Sequence, residues 1–301
     1  MPAGDVRGVR PAWVDDTLFP FTSRFTDIDG NLVHYVDEGE GRPIVFLHGN
    51  PTWSFVYRDV IGALRDSFRC LAVDYPGFGL SRAREGYGSL PEEHARAVVG
   101  FLDALELDDV TLVVQDWGGP IGMWAALERP ARVSRLVIAN TWAWPVNDDR
   151  HFEMFSAVMG GRPGRWLIEQ VNLFVRVMIP KGHRLRKVTA AEMAHYRAAL
   201  DTHARRRASA IFPRQIIAGR AFLASIATRL GELADRPALI IWGDADIAFR
   251  DTELHRWEAL LSDHETVVVF GAGHYVQSDA PAVFAQVLEE WLASRTGDPY
   301  L

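Results

Sequence analysis

From Val110 to Leu127 the chain reads VTLVVQDWGGPIGMWAAL. The run Val110 to Val114 is apolar but for Thr111, a β-branched residue, the pattern of a strand buried on both faces. Ile121 to Leu127 is compatible with a helix, so Gln115-Asp116-Trp117-Gly118-Gly119-Pro120 must turn the chain sharply between the two. Gly118 and Gly119 permit such a turn and a close approach of helix to sheet. Strand, tight turn and helix together match a nucleophile elbow, which holds one reactive side chain clear of the sheet. The apex residue of an elbow is usually serine, and here it is Asp116. The exchange alters the chemistry. Serine attacks a carbonyl, whereas a carboxylate suits displacement of a leaving group from sp³ carbon, leaving an alkyl ester for water to cleave. Asp is also a favoured helix N-cap, and on this stretch alone capping is the better explanation.

On either side of the elbow the same buried-strand pattern recurs at Ile44 to Leu47, Cys70 to Val73, Leu136 to Ala139, Ala238 to Trp242 and Thr266 to Phe270. Two β-rich runs, Phe21 to Ile28 and Leu32 to Val36, precede them, joined by the hairpin signal Asp29-Gly30-Asn31. Helical patterns lie between: Ser89 and Glu92 form a capping-box pair, and Ala97, Val98, Phe101, Leu102 and Leu105 continue one apolar face. Alternating strand and helix predicts an α/β fold. The alternation lapses once, between Ala139 and Ala238. That segment is rich in aromatics, Met and Arg, too apolar for a solvated loop, and reads as a helical cap at residues 141–222. Residues 1–140 and 223–301 then form the core domain.

Partners for Asp116 are sought where parallel strands end, since α/β sheets place ligands there. Trp242-Gly243-Asp244-Ala245-Asp246 leaves one strand and Gly271-Ala272-Gly273-His274 leaves the last. Of ten histidines only His274 lies just after the final strand, and its place after a nucleophile and an acid follows the chain order of elbow enzymes. Asp244 and Asp246 both remain candidates for the acid on spacing.

Five segments carry a family resemblance: His48-Gly49-Asn50-Pro51-Thr52-Trp53, Asp74 to Ser81, Gln115 to Gly119, Phe212-Pro213-Arg214-Gln215, and Gly273 to Pro281. Together they resemble the haloalkane dehalogenases, over nearly the whole chain. The resemblance implies an α/β-hydrolase fold: a mostly parallel eight-stranded sheet flanked by helices, with the cap inserted after strand six. It implies that Asp116 displaces halide in an SN2 step and that His274, oriented by Asp246, activates water. The Trp-Gly, two residues, then Asp pattern selects Asp246 over Asp244. The Trp117 indole and the Asn50 amide would bind the halide; two neutral N–H donors can hold an anion without pairing permanently with Asp116. The backbone N–H groups of the same two residues would form the oxyanion hole. Some members carry a Glu after strand six, but this chain has Asn140-Thr141-Trp142 there, similar to a subgroup with Asp after strand seven and an Asn/Trp halide pair. Trp142, Trp144, Phe155, Phe174 and Pro213 are candidate walls of an apolar pocket, although any one of the aromatics taken singly is better explained by cap-core packing.

Composition is consistent with this reading. A chain of 301 residues, 48% hydrophobic and with formal net charge −7, offers no basic footprint for nucleic acid, and a diffusible small-molecule substrate is the simpler expectation; the resemblance implies a small halogenated aliphatic, with water as co-substrate and halide as product. The single Cys70 excludes an intrachain disulfide. Met1-Pro2-Ala3-Gly4-Asp5 lacks a signal-peptide pattern and no apolar stretch reaches membrane-spanning length, so a cytoplasmic protein without membrane association is expected. No metal motif is present, His264-Glu265 lacking a second ligand at helical spacing, and no cofactor is expected. Gly77-Phe78-Gly79 reads as a tight loop, Ser81 as structural and Arg205-Arg206-Arg207 as a solvated helix face.

Two rivals remain. Epoxide hydrolases share the Asp elbow but protonate the epoxide with two cap tyrosines, and the cap here contains only Tyr196. A non-catalytic hydrolase-fold binding protein would be expected to have lost catalytic positions, yet all five are present. The sequence says nothing of oligomeric state.

Overall fold

The computed structural model describes residues 8–296; the Met1 to Asp5 start lies outside them. The apolar runs become one sheet with strand order β1-β2-β4-β3-β5-β6-β7-β8. The strands are β1 (Arg24–Ile28), β2 (Asn31–Glu38), β3 (Pro43–Leu47), β4 (Arg69–Val73), β5 (Val110–Asp116), β6 (Val133–Thr141), β7 (Ala238–Gly243) and β8 (His264–Val269). β1, β2 and β4 pair antiparallel, and β3 to β8 are parallel. The β1–β2 hairpin turns through Asp29 and Gly30, both at positive φ, as the dipeptide predicts.

Unbroken apolar runs arise because both faces of the sheet are covered. Val45, Leu47, Leu112 and Val114 share a core with α2 (Pro91–Ala104) and α3 (Gly118–Glu128), while Ile44, Phe46 and Val113 face α1 (Arg58–Leu64) and α12 (Pro281–Thr296). Alternate residues of one strand thus enter opposite cores.

Between β6 and β7 lie α4 (Arg150–Gly160), α5 (Arg162–Val171), α6 (Ile179–Gly182), α7 (Ala190–Ala199), α8 (His203–Ala218) and α9 (Arg220–Ala227), followed after β7 by α10 (Asp251–Leu260) and, before α12, by the short α11 (Val276–Asp279). Residue 222 falls inside α9, whose Leu223 and Ile226 pack into the α3 core. Among the described residues no helix is long and apolar enough to cross a membrane.

Three local expectations are corrected. The box at the start of α2 is not Ser89 with Glu92: Ser89 has φ 57°, Leu90 is the N-cap, and Glu93 accepts the Leu90 N–H at 3.0 Å. Pro91 at N1 fixes that start one residue later. Strand β8 stops at Val269, since the chain turns at Gly271 with φ 77° and leaves Phe270 exposed. The arginine run is not merely solvated: Arg205 donates from α8 to the carbonyl of Gly79 in the core at 2.6 Å.

Candidate active site

Asp116 ends β5 with φ 51°, a left-handed conformation that costs energy for a residue with a Cβ and lifts its carboxylate above the strand ends. The position works only because its neighbours are small. A methyl group on Gly49 would collide with the Asp116 side chain, and one on Gly118 with the Leu47 carbonyl. The Asn50 N–H donates to Asp116 Oδ1 at 2.8 Å. Trp117 is the N-cap of α3 without a side-chain capping hydrogen bond, and it lines the same cavity as Asp116.

His274 faces this carboxylate, with Nε2 3.6 Å from Asp116 Oδ2 and Nδ1 3.0 Å from Asp246 Oδ2. Asp246 is enclosed and fixed on both oxygens, by the Asn140 amide at 3.0 Å and the Ala248 N–H at 2.7 Å. Asp244 points elsewhere and accepts the Gly271 N–H at 2.6 Å, so Asp246 is the carboxylate brought to the histidine. Burial alone would lower the basicity of His274, but Asp246 and Asp116 outweigh it and pull the imidazole up to about 10.

Asn50 gains its orientation from an apparent defect in α8. Pro213 lies inside that helix and has no N–H, which leaves the Ser209 carbonyl four residues earlier without its helical donor. The Asn50 side-chain amide takes the vacancy at 3.3 Å, reaching from core to cap.

Together these groups line a cavity of about 140 Å³ beneath the cap, sized for a small molecule. Its walls include Asn50, Asp116, Trp117 and His274, and, of the expected aromatics and proline, Trp142, Phe155, Phe174 and Pro213. Trp144 is a correction. The chain bends after β6, and the Trp144 ring packs on Trp257 of α10 at 5.0 Å, with Arg256 over it, instead of entering the cavity. Sequence reasoning missed Phe152, Met178, Ile216, Ile247 and Phe249, which complete the apolar wall, and His151, a polar group whose Nε2 lies 3.0 Å from the Ala248 carbonyl. Ile247 to Phe249 directly follow Asp246 in a strand-end loop, which was the available signal. Tyr196, the one cap tyrosine, is buried edge-on against Phe55 and does not line the cavity; Tyr275 does.

Comparison with known proteins agrees with this geometry. A family model described as the alpha/beta hydrolase fold matches residues 42–281. Haloalkane dehalogenase 2 of Mycobacterium tuberculosis is 47% identical over 278 residues, spanning 92% of this chain and 96% of the relative. A cis-3-alkyl-4-alkyloxetan-2-one decarboxylase of Shewanella oneidensis is 32% identical over 274 residues, spanning 88% and 86%. The crystal structure of a putative ancestral haloalkane dehalogenase superposes with a TM-score of 0.82 at 28% identity, covering 91% of this chain and all of the other. With an Asp-bearing elbow, a histidine in the loop after the last strand and this degree of identity, the chain belongs to the haloalkane dehalogenase family of the alpha/beta hydrolase fold.

Proposed function

We propose that the enzyme hydrolyses the carbon–halogen bond of small haloalkanes, with Asp116 as nucleophile. The observation that carries this reading is the Asp116 carboxylate on an apolar cavity with the His274 imidazole 3.6 Å away. Asp116 attacks carbon from the side opposite the halogen, forming an ester as halide leaves toward the Trp117 indole and the Asn50 amide. His274, with Asp246 behind it, then takes a proton from water that attacks the ester carbonyl carbon. The N–H of Asn50, already on Asp116 Oδ1, and that of Trp117 meet the oxyanion; the imidazolium returns its proton to the departing alkoxide, and the alcohol, the free Asp116 carboxylate and one proton released to solvent result. Residues 141–222 act as the cap over the site.

Replacing His274 with Ala should leave alkylation intact and stop hydrolysis. After incubation with a brominated alkane, mass spectrometry should find a stable alkyl adduct on Asp116 and about one bromide released per enzyme. An adduct on another residue would sink the assignment. Diol formation from epoxides, measured beside bromide release, tests the rival; the packing of Tyr196 away from the cavity disfavours it.

The 32% identical decarboxylase favours one second reading. A carboxylate leaving group, like halide, needs N–H donors and no added proton. Attack by Asp116 on the oxygen-bearing ring carbon of an oxetan-2-one would break that C–O bond. Loss of CO₂ would then form the alkene and return the electron pair to Asp116, consuming no water. The His274→Ala variant separates the two: it should stop after one haloalkane turnover and continue with the lactone.

A further inference from the structure

Gln115 is wholly buried in β5, one residue before the nucleophile, and has no part in the steps above. Its amide nitrogen lies 3.0 Å from the backbone carbonyl of His274 and 3.1 Å from His274 Nε2. A carbonyl oxygen only accepts, so the amide atom beside it is the nitrogen, which carries two N–H groups and no lone pair to offer. With one N–H on the carbonyl, the other is left for Nε2. That ring atom must then present its lone pair, and the single ring proton sits on Nδ1, toward Asp246 at 3.0 Å. We infer that Gln115 is a positioning residue that shifts the His274 equilibrium toward the neutral, Nδ1-protonated form able to act as a base. The inference rests on the dehalogenase reading and deepens its second step.

The surroundings of the imidazole explain why such a group matters. Asp116 faces it from the end of β5 and Asp246 from the loop after β7. Tyr275 stands beside it at 4.7 Å, and Asp279 accepts the N–H of the adjoining Gly273 at 2.8 Å, with Arg184 packed behind that glycine. The two facing carboxylates favour imidazolium, which cannot accept the proton of water. An imidazolium would direct an Nε2 proton at the Gln115 N–H, donor against donor. Gln115 therefore opposes both carboxylates at the one ring atom that performs the chemistry. It also has a plain structural use, tying β5 to the histidine loop through the His274 carbonyl. That use alone would not alter the titration of the ring.

Gln115→Met keeps the volume and removes both donors, and Gln115→Glu keeps the shape while replacing the donor with an acceptor. Two measurements decide the matter: NMR titration of the His274 ring in the free enzyme, and rapid-quench bromide release divided into first turnover and steady state. In Gln115→Met, His274 should titrate about one unit higher, a tenfold change in its protonation equilibrium, and in Gln115→Glu higher still. Steady turnover at neutral pH should fall about tenfold and recover as pH is raised, with the first-turnover rate changed less than about twofold. Unaltered His274 titration in both variants would overturn the inference, as would equal loss in both steps at every pH. Absence of bromide release by the unaltered enzyme would instead refute the dehalogenase reading, and the titration would still decide the role of Gln115.

Discussion

At the scale of single residues, the site depends on side chains whose freedom is removed by specific partners. Asp246 fixes the His274 ring through Nδ1, and Asp246→Asn would set an amide against that N–H or force the other tautomer. From comparable triads kcat should drop about 10⁴-fold. Single-turnover kinetics should show the loss in ester hydrolysis, with the alkyl intermediate accumulating; equal slowing of both halves would contradict the assigned role. Gly49→Ala puts a methyl into the Asp116 side chain, and overpacking of this kind costs about 1–3 kcal/mol. A urea titration should report that cost alongside near-complete loss of first-turnover halide release. Asp116 and His274 were legible because strand ends are legible. The acid was not decided by its residues alone, since Asp244 and Asp246 share one short loop and only the turn toward Gly271 separates them. Trp144 misled because a bend after a strand has no composition that announces which neighbour turns inward. Gln115 had a signal that went unread, a long polar side chain beside the nucleophile in a buried and mostly apolar strand.

At the scale of elements, α8 trades regularity for a link to the core. Pro213→Ala would restore an N–H to the Ser209 carbonyl and release the Asn50 amide. The variant should melt higher, because an internal proline costs a helix about 3 kcal/mol, part of which is offset by surrounding packing. Its chloride or bromide affinity, followed by tryptophan fluorescence, should weaken about fivefold, the equivalent of one hydrogen bond near 1 kcal/mol. Unchanged halide affinity would show that Asn50 does not depend on the helix. The strands were visible in sequence because burial on both faces writes continuous apolar runs. Cap helices were visible only as a class. Their order is set by contacts such as Arg205 with Gly79 that join residues far apart in the chain.

For the molecule as a whole, the cap is fastened to the core by charge as well as by apolar contact. Glu192 of α7 is buried between Arg58 of α1 and Arg186, the latter at 2.8 Å. Burial pushes the Glu192 carboxyl up, but the Arg186 hydrogen bonds, the Thr189 N–H and Arg58 outweigh it and hold the group at about 2. A carboxylate depressed by folding stabilises the native state above its ordinary value of 4.5 and loses that contribution as pH falls toward 2. Glu192→Gln should therefore cost about 3 kcal/mol at neutral pH, with two arginines left facing an uncharged group. The gap to the unaltered protein should narrow as denaturation is followed down through that window; a constant gap would refute the account. Strand β8 has a second consequence. It is paired on one side only, with β7, yet it leads to His274, whereas β5, which bears Asp116, lies between β3 and β6 in the interior of the sheet. The capture half of the reaction is thus built on a more permanent foundation than the discharge half. Edge elements open before the whole molecule unfolds. On warming, a population with its border strand peeled away would still become alkylated and would have no means of clearing itself. Substrate should then poison the catalyst at temperatures the resting protein survives, and the dead fraction should carry its label on Asp116.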